Sequence, residues 1–144
     1  MNGLSSLKTL RLSENHLEGT VHIHELNNLT NLKNLDLSDN RIESFQPSKQ
    51  GNETQLRLTN LEELDLSYNL FRNNIFSFVQ GFSSLKSLYM QGNQLQGSID
   101  VKGLNNLTNL KNFDLTSNRI KSFGPSKQGI NIYISIHSTK FLIM

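Results

Sequence analysis

One residue spacing, L-x-x-L-x-L-x-x-N-x-L, occurs five times in this chain of 144 residues and constrains its fold more than any other feature. The asparagines of successive copies are 25, 29, 24 and 25 residues apart. A nearly fixed period of this length indicates a repeat architecture. The copies run from Leu7 to Leu17, Leu32 to Ile42, Leu61 to Phe71, Leu85 to Leu95 and Leu110 to Ile120.

The L-x-L core of each copy predicts a short strand. Two apolar side chains point to one side, and the residue between them points to the other. A single copy cannot bury its leucines, so the copies must stack with their strands about 4.7 Å apart. We therefore predict an α/β-type repeat solenoid over residues 1–124, with about five repeats. A short parallel β-sheet forms its concave face, and loops or short helical turns form its convex face.

An asparagine follows each strand, next to the apolar core, where an unpaired polar group costs about 1–3 kcal/mol. Its carboxamide can both donate and accept hydrogen bonds. We therefore predict a structural asparagine ladder that satisfies backbone groups of the turn leaving each strand, in the same repeat or the next one. Its members are Asn15, Asn40, Asn69, Asn93 and Asn118.

A longer duplication is superimposed on the short repeat. The block that begins at His16 recurs from Gln94, 78 residues later. This offset equals three whole repeats, so the duplication preserves the stacking register, as a solenoid tolerates easily.

Residues 125–144 depart from the repeat and are assigned to a divergent tail. Between Ile130 and Ile136, isoleucines alternate with polar residues, which predicts one strand that covers the last repeat as a makeshift cap. The alternative is a misread end of a gene model, and the break in the repeat pattern favours it. The sequence leaves both interpretations open.

Composition argues against several functions. The chain has no Cys, so it has no disulfide framework, thiolate metal site or cysteine nucleophile. Its 14 basic residues are scattered among 12 acidic ones, which disfavours nucleic acid as a partner. No catalytic arrangement, metal site or cofactor motif stands out, so we do not expect an enzyme. We also find no pattern of a signal peptide or transmembrane segment.

The segment after the ladder asparagine resembles the plant-specific subclass of leucine-rich repeats. It reads LEGTV at residues 17–21 and LQGSI at residues 95–99, similar to the subclass's L-x-G-x-I. The motifs NLTNL and LDLS-x-N make the chain most similar to ectodomains of plant receptor-like proteins, over about residues 4–124. The chain departs from the family where Asp100 follows Ile99, since a proline is usual there, and in lacking cysteine-containing caps.

This resemblance implies a binding segment for extracellular recognition, signalling or defence, with the parent protein at the extracellular face of the plasma membrane. The implied partners are a protein or peptide ligand, a carbohydrate or microbial elicitor, and a co-receptor kinase. Two alternatives stay open: a secreted enzyme inhibitor similar to the polygalacturonase-inhibiting repeat proteins, and a truncated chain without function.

Partner-binding residues are expected on the concave face, between and beside the strand leucines. Aspartates recur there in the family regardless of ligand. Arg11 and Tyr89 interrupt the aspartate column and belong to residue types enriched at binding hot spots, whereas Tyr68 lies just outside its strand. The candidates are Arg11, Asp36, Glu63, Asp65, Tyr68, Tyr89, Gln91 and Asp114.

Three N-x-S/T sequons, at Asn28, Asn52 and Asn106, are candidate glycosylation sites. Such sites require a surface position in a secreted chain. Asn28 and Asn106 are related by the duplication, so they count as one observation in favour of an extracellular parent.

Overall fold

The computed structural model describes residues 4–22, 26, 28–46, 58–124, 132–136 and 139–143, the last two ranges as backbone only. In chain order the elements are β1 (Thr9–Arg11), β2 (Glu18–His22), β3 (Asn34–Asp36), β4 (Arg41–Gln46), β5 (Glu63–Asp65), α1 (Ile75–Val79), β6 (Ser87–Tyr89), β7 (Gln96–Ile99), a 3-10 helix (Val101–Leu104), β8 (Asn112–Asp114), β9 (Arg119–Phe123), β10 (Ile132–Ile136) and β11 (Thr139–Ile143).

The main sheet contains one short strand from each of the five repeats. Its order is β1-β3-β5-β6-β8-β10-β11, and the first six strands are parallel. The register joins the middle apolar residues, so that Leu35 lies between Leu10 and Leu64. This arrangement confirms the predicted repeat solenoid with a parallel sheet.

Two smaller parallel sheets, β2-β4 and β7-β9, lie on a second side of the repeats and were not predicted. Each contains a register shift directly after a glycine, at Gly19 and Gly97. Both glycines have a left-handed backbone, with φ of +73° and +67°, which glycine adopts without steric cost. The LEGTV and QGSI segments therefore encode short strands with a built-in irregularity.

The third repeat forms no strand on this second side. Instead, α1 begins at Ile75, and its Phe78 stacks on Phe45 with ring centroids 4.5 Å apart. Phe45 also stacks on Phe71 at 5.2 Å. This aromatic cluster joins the convex side of the second and third repeats.

The core is a column of leucines and phenylalanines closed off from solvent in the central repeats. Leu64, Leu88 and Phe113 are buried, whereas Leu10 in the first repeat is only partly buried. Burial of a leucine side chain contributes about 1.5–3 kcal/mol. Most of the stabilisation therefore comes from repeats that have a neighbour on both sides.

The ladder asparagines join adjacent repeats through their carboxamides. The Nδ2 of Asn69 donates to the carbonyls of Leu66 and Ser67 in its own repeat and to Leu37 in the preceding repeat, and its Oδ1 accepts from the Ile42 N–H at 2.9 Å. Asn40, Asn93 and Asn118 repeat this pattern. The bonds within the same repeat confirm one predicted alternative. The bridge between repeats leads to the preceding repeat, so the other alternative, a bond to the next repeat, was wrong.

Asn15 is the exception because the described part of the chain has no repeat before it. Its Nδ2 donates only to Leu12 and Ser13 of its own repeat, and the residue is exposed.

Beyond the fifth repeat, β10 pairs in parallel with β8, and β11 pairs antiparallel with β10. The sequence predicted one strand here, and the structure has two. Isoleucine alternation favours β-structure, but the second strand, TKFLI, lies beyond the alternating segment and gave no such signal. Residues 125–131 lie outside the described part, and the assignment of 125–144 as a separate tail stays a prediction.

Candidate functional site

On the concave face, the residues that lie between the two apolar residues of each L-x-L form one continuous row. In register, this row reads Arg11, Asp36, Asp65, Tyr89 and Asp114. The row alternates with the buried leucines because successive strand side chains point to opposite faces. The structure therefore brings these five sequence-predicted candidates together on one surface.

The aspartates of this row are partly engaged within their own turns. Asp36 Oδ1 accepts from the Ser38 N–H at 3.0 Å and from its hydroxyl at 2.7 Å, and Asp114 accepts likewise from Thr116. Asp65 accepts from the Ser67 N–H at 2.9 Å. Asp side chains commonly close such local turns. These carboxylates therefore have a structural role whether or not they contact a partner.

A shallow concavity of about 290 Å³ lies at the N-terminal end of the row. Its polar lining includes Arg11, Asp36, Glu63 and Asp65. Glu63 is exposed on β5, beside the row. Arg11 forms no ion pair with any described residue. The concavity thus presents three carboxylates beside one unpaired guanidinium, which suits a polar ligand carrying both signs of charge.

Tyr68 is the large aromatic side chain most exposed at the rim of this face, with 47% of its surface accessible. Its hydroxyl accepts from the side-chain amide of Gln91. Its ring lies directly over Gly92, where an added Cβ would come within 2.5 Å of it. The phenol is therefore held in place before any partner arrives.

The backbone at Tyr68 is left-handed, with φ of +53°. The same conformation precedes the ladder asparagine in all five repeats, and the residues there are Glu14, Asp39, Tyr68, Gly92 and Ser117. The conformation therefore belongs to the repeat and does not by itself mark a functional site. The exposed ring and its bond from Gln91 favour Tyr68 as an anchor, although the sequence analysis placed it behind Arg11 and Tyr89.

Tyr89 lies half-buried between Asp65 and Asp114 in the register of the sheet. Gln91 is half-buried too, and its role is to hold Tyr68. The candidates therefore divide into an N-terminal charged group around Arg11 and a central aromatic group around Tyr68.

A charged bridge borders the face at the start of the strands. Glu62 accepts from Lys33 at 2.7 Å through Oε1 and from Lys86 at 2.6 Å through Oε2. The hydrogen bonds from these two lysines lower the pKa of Glu62 from 4.5 to about 2. One carboxylate thus ties three adjacent repeats together.

A second column of asparagines, which the sequence analysis missed, supports this border. Asn31, Asn60 and Asn109 each donate through Nδ2 to a backbone carbonyl of the preceding repeat, at 2.7–2.9 Å. The signal was present in the recurring TNL tripeptide. The sequence analysis treated this tripeptide only as a family motif, because polar residues near a turn are usually solvated and need no protein partner.

Two of the three sequon asparagines are described, and both Asn28 and Asn106 are exposed, while the leucine that follows each is buried. Asn52 lies outside the described residues. Within the described part, no group of three or more His, Asp or Glu side chains is placed to hold a metal ion. The same part contains no helix of the length and apolarity needed to cross a bilayer.

Family comparisons agree with the repeat geometry. A family described as Leucine Rich repeats (2 copies) matches residues 5–50 and 83–128, and Leucine Rich Repeat matches residues 60–82. Receptor-like protein 13 of Arabidopsis thaliana is 44% identical over 109 residues, which are 76% of this chain and 10% of that protein. Receptor-like protein 9b of the same plant is 44% identical over 63 residues, 44% of this chain and 7% of that protein. The chain thus spans a tenth or less of these relatives.

Two solved structures share the fold. The BIR2 ectodomain from Arabidopsis thaliana has a TM-score of 0.60 and 30% identity, covering 78% of this chain and 55% of that one. The leucine-rich repeat ectodomain of the receptor kinase SOBIR1 from the same plant has a TM-score of 0.57 and 27% identity, covering 85% of this chain and 64% of that one. The resemblance to plant receptor ectodomains is confirmed.

Proposed function

The chain belongs to the leucine-rich repeat family, and from this premise we propose that its concave face recognises an extracellular ligand within a plant receptor-like protein. Its similarity to receptor-like proteins 9b and 13 supports this role. The parent protein is then placed at the extracellular face of the plasma membrane. The exposed sequon residues Asn28 and Asn106 are in keeping with glycosylation there.

The observation that carries the proposal is the fixed, exposed ring of Tyr68, at the rim of the face in the third of its five repeats. Tyrosine is enriched among binding hot spots. Gly92 leaves room for the ring beside it. The left-handed backbone is common to all five repeats, but the ring is not needed for it, since the other repeats place Glu, Asp, Gly or Ser at this position.

The size of the face limits what it can bind alone. Five strands about 4.7 Å apart span only about 19 Å, and a standard interface covers roughly 800 Å² on each partner. The chain therefore supplies part of a footprint completed by further repeats or by a co-receptor. The likeness to BIR2 and to the receptor kinase SOBIR1 supports a kinase ectodomain as that co-receptor.

The ligand class we propose is a protein or peptide, in preference to a carbohydrate or other microbial elicitor, because the central group is aromatic. No comparison favours the enzyme-inhibitor alternative. Catalysis is not part of the proposal, since the aspartates of the face are engaged in their own turns.

The test is binding of fractionated apoplastic peptides to the immobilised chain and to three variants. Tyr68→Ala removes the aromatic anchor and Arg11→Ala removes the unpaired guanidinium. Gln80→Ala, at an exposed residue following α1, is the control. Loss of a hot spot costs about 2 kcal/mol or more, which is a roughly thirtyfold loss of affinity. Retention unchanged by both Tyr68→Ala and Arg11→Ala contradicts a concave binding site.

A further inference from the structure

A second pocket, which we call the lateral pocket, lies away from the concave row, beyond the asparagine ladder. It is lined by Arg72, Asn93, Gln94, Gln96 and Arg119. Its volume of about 440 Å³ is in the range of about 300–1,000 Å³ usual for small-ligand sites. Three consecutive repeats contribute to it, and none of its lining residues belongs to the proposed concave site.

The lining is polar and basic, without a carboxylate or an apolar side chain. Arg72 and Arg119 are exposed, and neither forms an ion pair with a described residue. Gln94 and Gln96 are also exposed and carry carboxamides, which both donate and accept hydrogen bonds. An arginine guanidinium can donate two parallel N–H···O hydrogen bonds to one carboxylate.

The backbone under the pocket is fixed. Asn73 donates through Nδ2 to the Gln96 carbonyl at 2.8 Å and accepts from the Gln96 N–H at 3.1 Å. The Asn93 carboxamide bonds to the backbone of two repeats. The positions from which the arginines and glutamines project are therefore set by the fold.

The duplication supplies an internal comparison for this pocket. In the first copy, Glu18 is the register partner of Arg41, so a carboxylate lies opposite the guanidinium. In the second copy, Gln96 is the register partner of Arg119. Glu18 and Arg41, both within the described part of the chain, form no ion pair with each other, so the carboxylate offsets the guanidinium only as a nearby opposite charge. The second copy has a neutral carboxamide in place of that carboxylate.

A second difference between the copies acts in the same direction. Glu43 on β4 corresponds to Lys121 on β9, two residues after the paired arginine. Both residues are exposed and lie at the register shift of their sheets. At these three equivalent positions the first copy has two carboxylates and one cation, whereas the second has two cations and one carboxamide, with Arg72 added from the third repeat.

We propose that the lateral pocket binds an acidic oligosaccharide, a chain of sugars that carry carboxylates. The arginines take the carboxylates, and the glutamine amides take the neighbouring hydroxyls. An acidic peptide is a poorer match because the lining offers no apolar side chain for its non-acidic residues. This site does not depend on the proposed concave function.

The test is titration of the full chain with a galacturonate oligomer of defined length, with its methyl ester and with a polyglutamate peptide as comparison ligands. We expect binding of the acidic oligomer that weakens with added salt, because the attraction is between exposed charges. Arg72→Gln and Arg119→Gln each weaken binding about tenfold, as expected for a charge-assisted hydrogen bond of about 1.5 kcal/mol.

Arg41→Gln is the matched control, because it makes the same change in the first copy, where Glu18 offsets the charge. We expect it to alter affinity less than twofold, while Gln96→Glu, which restores the first-copy pairing, weakens binding. Thermal unfolding of each variant checks that the fold is intact. Tyr68→Ala leaves oligosaccharide binding unchanged, so failure of the concave proposal is seen separately.

Four outcomes overturn the inference. The first is absence of binding, and the second is equal binding of the methyl ester. The third is polyglutamate binding as tightly as the oligosaccharide, which would make the pocket an acidic-peptide site. An equal loss in Arg41→Gln and Arg119→Gln also contradicts it, since it would indicate a general charge effect.

Discussion

The asparagine ladder allows a quantitative prediction because the duplication places two of its members in different surroundings. Asn93 and Asn15 are equivalent residues, 78 positions apart. Asn93 is buried and accepts from the Phe71 N–H at 3.0 Å, and it donates to the Leu66 carbonyl of the preceding repeat at 2.9 Å. Asn15 is exposed and bonds only within its own turn. We expect Asn93→Ala to destabilise the fold far more than Asn15→Ala.

The magnitude follows from the groups left without partners. In Asn93→Ala the buried Phe71 N–H loses its acceptor, which costs about 1–3 kcal/mol. The Leu66 carbonyl keeps a bond from Asn69, so only the net value of one bond, about 0.5–1.5 kcal/mol, is lost there. The sum is about 1.5–4.5 kcal/mol. For Asn15→Ala, where water replaces the side chain, we expect less than about 1 kcal/mol.

The assay is urea and thermal unfolding of the wild-type chain and both variants, followed by far-ultraviolet circular dichroism. At this chain length, about 1.5–4.5 kcal/mol lowers the Tm by about 3–18 °C. The dependence of unfolding free energy on urea concentration should stay unchanged, because the folded structure buries the same surface. Equal destabilisation by the two substitutions would refute the claim that the bond between repeats is what stabilises the stack.

Three further predictions concern other features. Gly92→Ala places a Cβ 2.5 Å from the Tyr68 ring at a φ of +66°, so we expect it to lower the Tm and displace the phenol. Gly97→Ala places a Cβ with nothing within 4 Å, so it costs only the left-handed strain of about 1–2 kcal/mol. Thermal unfolding and tyrosine fluorescence distinguish the two variants. The pKa of Glu62 is lowered from 4.5 to about 2, so its bridge to the two lysines contributes stability above pH 4.5 that is lost as the pH falls towards 2. The Tm difference between the wild type and Glu62→Gln should therefore shrink over that pH range. A constant Tm difference contradicts a stabilising bridge. In a secretory expression host, Asn106→Gln should lower the mass by one glycan, and an unchanged mass excludes glycosylation there.

The sheet could be predicted from the sequence because its signal is periodic and physically forced. Leucines at fixed spacing must be buried together, and only stacking in one register does so for all five repeats. The ladder was predictable for the same reason, since a buried amide at Asn40 or Asn69 needs partners. Its direction was not, because the spacing is the same whichever neighbour supplies the backbone groups.

The second-side strands were not predicted because all four are short and exposed on one side. In addition, the pairing of each two-stranded sheet is irregular at a glycine. The segment from Glu18 to His22 has glycine at its second position, and its apolar and polar residues do not alternate regularly, so its sequence is typical of a loop. Its pairing comes from the neighbouring repeat, which a local pattern does not show. Tertiary context thus decides such strands more than propensity does.

The two copies of the duplicated block show where function separates from fold. The ladder asparagines of the copies coincide, and so do the glycine that permits each register shift and the core leucines, except that Phe113 stands where the first copy has Leu35. The stack requires an apolar residue at each of these core positions. Several differences between the copies lie at exposed positions, where Glu18 corresponds to Gln96 and Glu43 to Lys121. Exposed substitutions rarely change stability by more than about 0.5 kcal/mol, so the stack does not restrain them. They reverse the charge of one face while its backbone stays the same, and binding specificity can therefore diverge between copies of one scaffold.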